Sequence, residues 1–329
     1  MNVMRTRRSR SSSNPVPPRS AEARSAEATR HQSVLLHEVL DALDINPGDI
    51  VVDATLGGGG HAREIVKKLG REGFFVGFDL DSDAITRAEA TLADSAPKKI
   101  LINANFRDMA KELAARDITS IDKALFDLGW SSDQLDAGRG FSFLKDEPLQ
   151  MTYRTDADKQ LITAKTIVNE WEETSLADII YGWGEERYSR RIAKHIVEQR
   201  VKKPIETSGE LAEIIKRAVP APYARGRIHP ATRTFQALRI AVNDELGAAQ
   251  KGIRSAWDLL VPGGRIAVIS FHSIEDRLVK QLFVELEKSG DRFVVIDEIQ
   301  KVPALLDEIH WLIENRCSNS AGRAHESSG

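Results

Sequence analysis

After its first 30 residues the chain alternates short apolar runs with segments in which apolar residues recur three and four positions apart. The apolar runs predict buried β-strands, and they read DIVVDATL, GFFVGFDLD, KKILINANF and IDKALFDLGWSS. The periodic segments predict helices, and they read SVLLHEVLDAL, with Ser33 as its expected N-cap, HAREIVKKLG, SDAITRAEATLAD and MAKELAARD. Strands and helices that alternate in this way predict an α/β fold with a doubly wound parallel sheet.

The strand pattern stops between about residue 134 and residue 227, where the periodicity is helical. A further helical segment follows, and PGGRIAVISFHS then predicts another strand. The simplest organisation has three parts. Residues 1–30 are a disordered basic tail, residues 31–134 and 228–329 form a discontinuous core, and residues 135–227 form a helical insertion that binds the substrate.

Charge and cysteine content narrow the functional classes. The net charge of −3 is unevenly distributed, because residues 1–30 contain seven arginines and only two acids, Glu22 and Glu27. Such a basic tail suggests a polyanionic partner. The single cysteine, Cys317, excludes an internal disulfide and a cysteine-rich zinc site. No apolar run reaches the roughly 18 residues of a membrane span, so we expect a cytoplasmic protein with no membrane partner. The alternative location is an organelle, if the Arg- and Ser-rich residues 1–30 are a transit peptide.

Four consecutive glycines follow the first predicted strand, in DATLGGGGHA. Gly57, Gly59 and Ala62 match the dinucleotide fingerprint G-x-G-x-x-A, and Asp79 ends the next strand where an acid would bind ribose hydroxyls, so NAD is an open alternative. Asp53 favours another ligand, because a carboxylate beside the glycines would repel a pyrophosphate. S-adenosylmethionine carries a sulfonium and an ammonium instead, and it is the cofactor that we predict.

The third and fourth predicted strands also end in residues suited to a ligand site. Phe106, in NANF, lies against an adenine or packs in the core, and the sequence leaves both interpretations open. Asp127 follows the buried run KALF, and a carboxylate there is costly unless it is paired or faces a cleft. The carboxyl ends of parallel strands share one edge of the sheet, which is where α/β folds bind their ligands.

Several longer motifs resemble one family. They are HQSVLLHEVLDAL, VDATLGGGGHA, FDLD, NANF, FDLGWSSDQLD, GRGFSF, YGWGEERYSRRIAKHIVEQR, HPATRTFQALRIAVNDEL and PGGRIAVISFHSIEDRLVK. In the same order, from about His31 to about Lys280, they resemble the motifs of the ribosomal RNA small subunit methyltransferase H family. The resemblance implies a class I, Rossmann-like methyltransferase core with a helical insertion. It also implies methylation of the N4 amino group of a decoding-region cytidine in 16S rRNA.

The resemblance further implies a set of cofactor contacts and a partner. The contacts fall on Gly59, Gly60, His61, Asp79, Phe106, Asp127 and Gln134, to which the charge argument adds Asp53. The partner is the 16S rRNA of the small ribosomal subunit, and a homodimer is left open. Two segments depart from the family pattern. In EPLQMTYRTD the residues Glu147, Gln150 and Thr152 replace glycine, aspartate and arginine, and the C-terminal ENRCSNSAGRAHESSG lacks the usual ending, so the final strand of the family is expected to be absent or disordered.

The chemistry of a cytosine amino group suggests the catalytic candidates. Its lone pair is delocalised, so hydrogen-bond acceptors that take its N–H groups would activate it, and Asp127, Ser131 and Ser132 are the candidates. C5 methylation would need a cysteine nucleophile, and Cys317 lies outside the motifs, which leaves N or O methylation. His272 binds substrate or relays a proton, or else it is a structural histidine that bonds a loop. We predict no metal site.

Basic residues in and after the predicted insertion are the candidates for RNA contact. They are Arg187, Arg190, Arg191, Lys194, Arg225, Arg227 and Arg233. Cations with nearby aromatic residues are typical of phosphate and stacking contacts, although a solvated helix face gives the same pattern. The sequence therefore leaves three hypotheses: a cytidine N4 methyltransferase, a non-catalytic ribosome assembly factor that retains the cofactor pocket, and an NAD-dependent oxidoreductase.

Overall fold

Six parallel strands form one sheet in the computed structural model, which describes residues 33–129, 137–154 and 162–287, and the backbone of 293–298. The strands are β1 (Ile50–Asp53), β2 (Phe74–Asp79), β3 (Lys98–Asn103), β4 (Ile121–Asp127), β5 (Leu260–Ser270) and β6 (Phe293–Glu298). They lie in the order β3-β2-β1-β4-β5-β6, and each neighbouring pair is parallel. The predicted doubly wound α/β fold is confirmed.

Helices connect the strands and fill the interval between β4 and β5. In the first part they are α1 (Leu36–Leu43), α2 (Gly60–Lys68), α3 (Ser82–Leu92) and α4 (Met109–Ala114). Between β4 and β5 the helices that the structure describes are α5 (Ala164–Glu170), α6 (Glu173–Gly182), α7 (Ser189–Arg200), α8 (Ser208–Ala218), α9 (Ala221–Ala224), α10 (Thr232–Asn243) and α11 (Glu245–Leu259). The last described helix, α12, spans Ser273–Glu287. None of the described helices is long and apolar enough to span a membrane.

Two local expectations differ from the structure. Ser33 is not the N-cap of α1, because that helix begins at Leu36 after Leu35, whose φ of 51° is left-handed and which makes no side-chain cap bond. The sequence analysis also did not predict β6, although FVVIDE is a short apolar run. The segment expected to lack the family's final strand, like the tail of residues 1–30, lies outside the described residues.

The buried side chains form two hydrophobic clusters within one compact unit that begins at Leu35. The sheet cluster joins strands β1 to β5 to α4, α11 and α12 and includes Val52, Phe126 and Trp257. The helical cluster includes Ile192 of α7 and Leu238 of α10. Helices α10 and α11 follow each other directly but pack into different clusters, since the chain turns between them at Asp244, which has a φ of 46°. The division into core and insertion stays a prediction, and this turn is the place where the packing changes.

The strand order reverses between β1 and β4, which lie side by side and lead to opposite halves of the sheet. In open α/β sheets a crevice forms at such a switch point, beyond the carboxyl ends of the strands. Asp53 and Asp127 are the last residues of these two strands. The fold therefore brings together two acids that are far apart in the sequence.

Candidate active site

The glycine turn connects β1 to α2 and leaves open space above the sheet edge. Gly57 and Gly59 have φ values of +52° and +80°, a conformation that side chains with a Cβ rarely adopt. A Cβ on Gly58 would meet no atom within 4 Å. The predicted contact Gly60 is the first residue of α2, so backbone N–H groups at the start of that helix lie beside this space. The turn can therefore accept a ligand at close range.

Asp79, at the end of β2, holds the glycine turn in place. Its carboxylate accepts one hydrogen bond from the Gly57 N–H and one from the Asp81 N–H, each at 2.8 Å. A carboxylate has about four acceptor positions, so two remain for a ligand such as the two hydroxyls of a ribose. Burial raises the pKa of Asp79 above its usual range, although these two backbone bonds oppose the shift.

Asp53 is almost completely buried at the end of β1, and its carboxyl accepts a hydrogen bond from the Thr55 N–H at 3.1 Å. Loss of water around the charge, with the nearby charge of Asp79, raises the pKa of Asp53 to about 7. The Thr55 hydroxyl also accepts the Asp127 N–H at 2.7 Å, so this threonine connects the ends of β1 and β4.

Asp127 is a perturbed acid of the crevice whose side chain still reaches solvent. Burial, with the charges of Asp53 and Glu275, raises the pKa of Asp127 to about 8, yet its side chain keeps 24% of its exposure. One carboxylate oxygen, Oδ2, lies 3.6 Å from Nδ1 of the buried His61. The other, Oδ1, has no hydrogen-bond partner among the described residues. A buried oxygen of this kind is costly unless a ligand satisfies it.

The acids at the strand ends suit a cation. Asp53 feels the charge of Asp79, and Asp127 feels the charges of Asp53 and Glu275. A sulfonium and an ammonium would relieve this repulsion, whereas a pyrophosphate would add to it. The residues at the strand ends therefore fit S-adenosylmethionine and do not fit NAD.

Phe106 is the first residue of a 3₁₀ turn that follows β3, and its ring contacts the hydrophobic core and lines a cavity. Its ring meets that of Phe126 edge-on, with 5.7 Å between centroids and an angle of 85°. A Cβ on Gly252 of α11 would lie only 2.5 Å from the ring, so this glycine is what admits it. Because Phe106 also lines the cavity described next, the two interpretations given to it are compatible.

A cavity of about 60 Å³ lies beyond the ends of β1, β3 and β4. On the sheet side it is lined by Thr55, Leu80, Asn105, Phe106, Leu128 and Gly129. On the other side it is lined by Tyr153, Asn243, Glu245, Ala248, Ala249 and Glu275. The second group includes residues that the sequence analysis did not single out as candidates, and several of them are polar.

These polar residues form a buried network. The Tyr153 hydroxyl donates to Glu245 at 2.9 Å, and Arg239 donates to both carboxylate oxygens of Glu245, at 2.9 and 3.1 Å. Asn243 accepts the Tyr153 N–H at 2.9 Å and donates to the Met151 carbonyl at 2.8 Å. For Asn243 and Glu245 the signal in the sequence was the cluster AVNDEL after a helical segment, but only the fold shows that this cluster lines the cavity at the strand ends.

His272 begins the turn into α12 and is held by Glu275. Its Nδ1 accepts the Glu275 N–H at 3.3 Å, and its Nε2 lies 3.1 Å from the Glu275 carboxylate. Ligand atoms of Glu245, His272 and Glu275 lie within 4.8 Å of one another, although we predicted no metal cluster. Arg239 already neutralises Glu245 with two hydrogen bonds, so we interpret this group as an ion-pair network. The contacts favour the structural interpretation of His272.

Three predicted site residues, Ser131, Ser132 and Gln134, lie outside the described residues. The predicted RNA-binding residues are described, and all except the half-buried Arg233 are exposed. Lys194 pairs with Glu198 at 3.8 Å, and Arg225 donates to the Ala221 carbonyl of its own helix at 3.4 Å, as on a solvated helix face. Within the described part of the chain, Arg187, Arg190 and Arg191 make no ion pair.

A doubly wound parallel sheet with a glycine turn after β1 and an acidic crevice at its switch point defines a Rossmann-like methyltransferase that binds S-adenosylmethionine. Sequence comparison identifies the family. Residues 28–307 match the model of the MraW methylase family. The chain belongs to this family, and the resemblance described above is confirmed. The alternative of an NAD-dependent oxidoreductase is therefore wrong.

Two relatives show the extent of the similarity. The ribosomal RNA small subunit methyltransferase H of Symbiobacterium thermophilum is 48% identical over 262 residues, which cover 79% of this chain and 81% of that protein. The protein of the same name from Syntrophotalea carbinolica is 48% identical over 258 residues, covering 78% and 81%. Among solved structures, an S-adenosylmethionine-dependent O-methyltransferase from Thermotoga maritima shares 17% identity over 33% of this chain and 41% of that chain, with a TM-score of 0.27. So weak a likeness adds nothing to the family membership.

Proposed function

We propose that this protein transfers a methyl group from S-adenosylmethionine to the N4 amino group of a cytidine in the decoding region of 16S rRNA. Two relatives, each of which aligns with this chain over about four fifths of its own length, are named ribosomal RNA small subunit methyltransferases. The N4 position rests on the resemblance of the motifs and on the chemistry of the strand ends. Such a substrate would place the protein with the small ribosomal subunit in the cytoplasm, and a homodimer stays a prediction.

The unsatisfied Oδ1 atom of Asp127 is the observation that carries the proposal. It is a buried acceptor at the end of β4, beside the acids that fit a cationic cofactor. A cytosine amino group offers two N–H donors, and one of them would satisfy this oxygen. An acceptor on that N–H would let the nitrogen lone pair leave conjugation with the ring and point towards the methyl group.

The proposed chemistry needs only positioning and one proton acceptor from the protein. Bound S-adenosylmethionine supplies a methyl group on a positively charged sulfur, which leaves as the neutral thioether. The amino nitrogen forms the new N–C bond and then loses one proton, and Asp127, whose pKa is raised to about 8, is suited to take it. His61 Nδ1 lies 3.6 Å from this carboxylate and, when protonated, would stabilise the ionised form of Asp127. Ser131 and Ser132 stay proposals as further acceptors.

RNA binding is assigned in the same proposal to residues 135–227 and to the basic residues that follow them. Arg187, Arg190 and Arg191 support it, since their charges are exposed and are not paired within the described residues. A base to be methylated must leave its stack and reach the cofactor, and a cleft between the two hydrophobic clusters would receive it.

A non-catalytic assembly factor is the second candidate, and the altered segment EPLQMTYRTD is what favours it. In the structure these replacements make local bonds. Glu147 accepts the Gly140 N–H at 3.0 Å, and the Thr152 hydroxyl accepts the Arg154 N–H at 3.2 Å. Gln150 contributes its backbone N–H, which lies 2.8 Å from the Pro148 carbonyl and 3.3 Å from the Arg139 carbonyl. The described part of the segment, residues 147–154, is thus fitted to its surroundings by local hydrogen bonds.

Nucleoside mass spectrometry of 16S rRNA separates the two candidates. In cells that lack this protein, N4-methylated cytidine should be lost, and it should return with the wild-type chain but not with Asp127→Ala. Complementation with Asp94→Asn, an exposed acid far from the strand ends, is the control and should restore the modification. Unchanged N4-methylcytidine in the deletion strain would contradict the proposal. Restoration by Asp127→Ala would favour a protein in which Asp127 is not catalytic.

A further inference from the structure

We propose that a groove between α6 and α7 binds one unpaired nucleotide of the RNA substrate, outside the pocket at the strand ends. Its base stacks on Tyr181, and its phosphate contacts Arg187, Arg190 and Arg191. We call this cavity the Tyr181 groove. The proposal rests on an RNA substrate, as proposed above, and adds where a second part of that RNA is held.

The Tyr181 groove has the size and the lining of a nucleotide site. Its volume is about 330 Å³, within the range of roughly 300–1,000 Å³ that is usual for small-ligand pockets. Three arginines, two tyrosines and one aspartate contribute to its walls. None of these residues lines the cavity at the ends of the strands, so the two sites are separate.

Arg187 stacks on two tyrosine rings and has no carboxylate partner among the described residues. Its guanidinium lies over the rings of Tyr188 and Tyr223, 4.9 Å from each centroid. Those rings meet edge to face, and the buried Glu186 fixes both by accepting the Tyr188 N–H at 2.8 Å and the Tyr223 hydroxyl at 2.5 Å. An exposed guanidinium that is stacked in this way keeps its N–H groups available, and phosphate is the anion whose geometry they match.

Arg190 and Arg191 follow in the first turn of α7 and enlarge the positive surface. Both side chains are exposed, and neither makes an ion pair within the described ranges. By contrast, many exposed cations elsewhere in the structure are paired, for example Lys203 with Glu210 and Arg254 with Glu285. Three guanidinium groups around one cavity, none of them paired with a carboxylate in the part of the chain that the structure describes, favour a polyanionic ligand.

Tyr181 supplies an aromatic surface on the opposite wall. Its side chain is 67% exposed, one of the highest values among the large apolar side chains of the structure. A solitary exposed tyrosine needs no explanation, but one that faces arginines across a groove matches the arrangement that binds single-stranded nucleic acid, in which bases stack on aromatic rings.

Asp178 determines which end of the nucleotide lies against α6 and which against α7. It lies one turn before Tyr181 on α6, and its charge would repel a phosphate on that side. It can accept a hydrogen bond from an exocyclic amino group or a ring N–H of a base. The phosphate is therefore placed towards α7 and the base towards α6, and a base with such a donor is favoured.

Fluorescence anisotropy with a labelled single-stranded RNA of about 12 nucleotides, and with a duplex of the same length, tests the groove. Stacking on one aromatic ring is worth about 1–3 kcal/mol per base, so Tyr181→Ala should weaken single-strand binding about 5-fold to 150-fold. Tyr181→Phe should bind like the wild type, because the ring is kept. Duplex binding should change little. Equal affinity of Tyr181→Ala and the wild type for the single strand would overturn the stacking role, as would an equal loss for the duplex.

Salt dependence tests the phosphate contact. Arg190→Ala should weaken binding and lower the slope of log affinity against log salt by about 0.7, the value for one phosphate of a single strand. Arg71→Ala removes an exposed arginine at the opposite, amino-terminal edge of β2 and should leave both quantities unchanged. An unchanged slope in Arg190→Ala would refute the contact.

Methylation kinetics on small ribosomal subunits separate a failure of the groove from a failure of the proposed function. If both proposals hold, Tyr181→Ala raises the KM for the subunit at least 5-fold, while calorimetric titration shows unchanged S-adenosylmethionine affinity. If the wild type methylates subunits and Tyr181→Ala has the same KM, the groove is wrong and the function stands. If the wild type transfers no methyl group to any small-subunit RNA, the proposed function is wrong.

Discussion

The Gly57 N–H donates a hydrogen bond of 2.8 Å to the Asp79 carboxylate, so the acid that ends β2 fixes the glycine turn that follows β1. The same group shapes the turn and keeps about two acceptor positions that a ligand could occupy. The glycines are therefore not a free loop, and their conformation depends on an acid that follows them in the sequence.

Replacing Asp79 should weaken the binding of the cofactor, whereas replacing an exposed acid far from the strand ends should not. We expect Asp79→Ala to raise the dissociation constant of S-adenosylmethionine about 10-fold to 100-fold, since hydrogen bonds to charged groups are worth about 1.5–3 kcal/mol each. Isothermal titration calorimetry measures this, with Asp94→Asn as the control. An affinity within 2-fold of the wild type would show that Asp79 neither shapes the turn nor contacts the cofactor.

Cofactor affinity should depend on pH through Asp53. Its pKa is raised to about 7, and a cation beside it favours the ionised form, so binding must release a proton at lower pH. We expect the dissociation constant of S-adenosylmethionine to fall as the pH rises from 6 to 8, and Asp53→Asn to bind more weakly with a flatter profile. Titrations in buffers of different ionisation enthalpy should detect the released proton. A pH-independent affinity in the wild type would contradict the proximity of Asp53 to the cation.

The Asp53 carboxyl should also make the stability of the cofactor-free protein fall as the pH rises towards and through about 7. A carboxyl with a raised pKa binds its proton more tightly in the folded state, so its contribution to stability is complete below about pH 4 and is lost as the pH rises through about 7. Asp53→Asn carries no charge, and its Tm should fall less than that of the wild type between pH 6 and pH 8.5. Asp94→Asn should follow the wild type. If Asp53→Asn loses as much as the wild type, Asp53 is not the group responsible.

Asp127→Asn should reduce the rate of methyl transfer. The amide keeps the size of the side chain but cannot take a proton, and general base catalysis typically contributes about 10²-fold to 10⁴-fold. We expect a loss of this order in the single-turnover rate at saturating cofactor and RNA. The wild-type rate should rise with pH as Asp127 ionises, with an apparent pKa that the bound cation lowers below its free value of about 8. If Asp127→Asn kept the full single-turnover rate and the same pH dependence, Asp127 would not be the proton acceptor.

Gly252→Ala should disturb the cavity through Phe106. The added methyl would lie 2.5 Å from the Phe106 ring, so the ring or helix α11 must move. We expect a lower Tm, by several degrees, and a weaker affinity for S-adenosylmethionine. Gly48→Ala is the matched control, because a Cβ there meets nothing within 4 Å. Wild-type values for both quantities in Gly252→Ala would show that the Phe106 ring is not constrained from this side.

The sequence predicted the sheet and its acidic edge well because both depend on local patterns. Buried strands read as apolar runs, and the residue that ends each run is visible without a structure, as Asp53, Asp79 and Asp127 show. It did not predict β6, since one short apolar run among many carries little signal on its own.

The far wall of the cavity could not be predicted from local pattern. Tyr153 and Glu245 are hydrogen-bonded across 92 positions of the sequence, and neither belongs to a strand that ends at the site. The same holds for the hydroxyl of Thr55, which receives the Asp127 N–H from 72 positions away. Such contacts follow from the packing of helices on the sheet, and helical periodicity says which face is buried but not what it meets.

Strands β4 and β5 pair side by side, although the helices from α5 to α11 lie between them in the chain. The entropy of closing a loop grows only with the logarithm of its length, about 0.6 kcal/mol for each doubling. A segment that folds around its own apolar cluster, and so brings its two ends together, makes the closure cheaper still. The gap after β4 is thus a position where evolution can exchange the helices that we propose to bind the RNA, while the strands and acids that we propose to hold the methyl donor keep their arrangement.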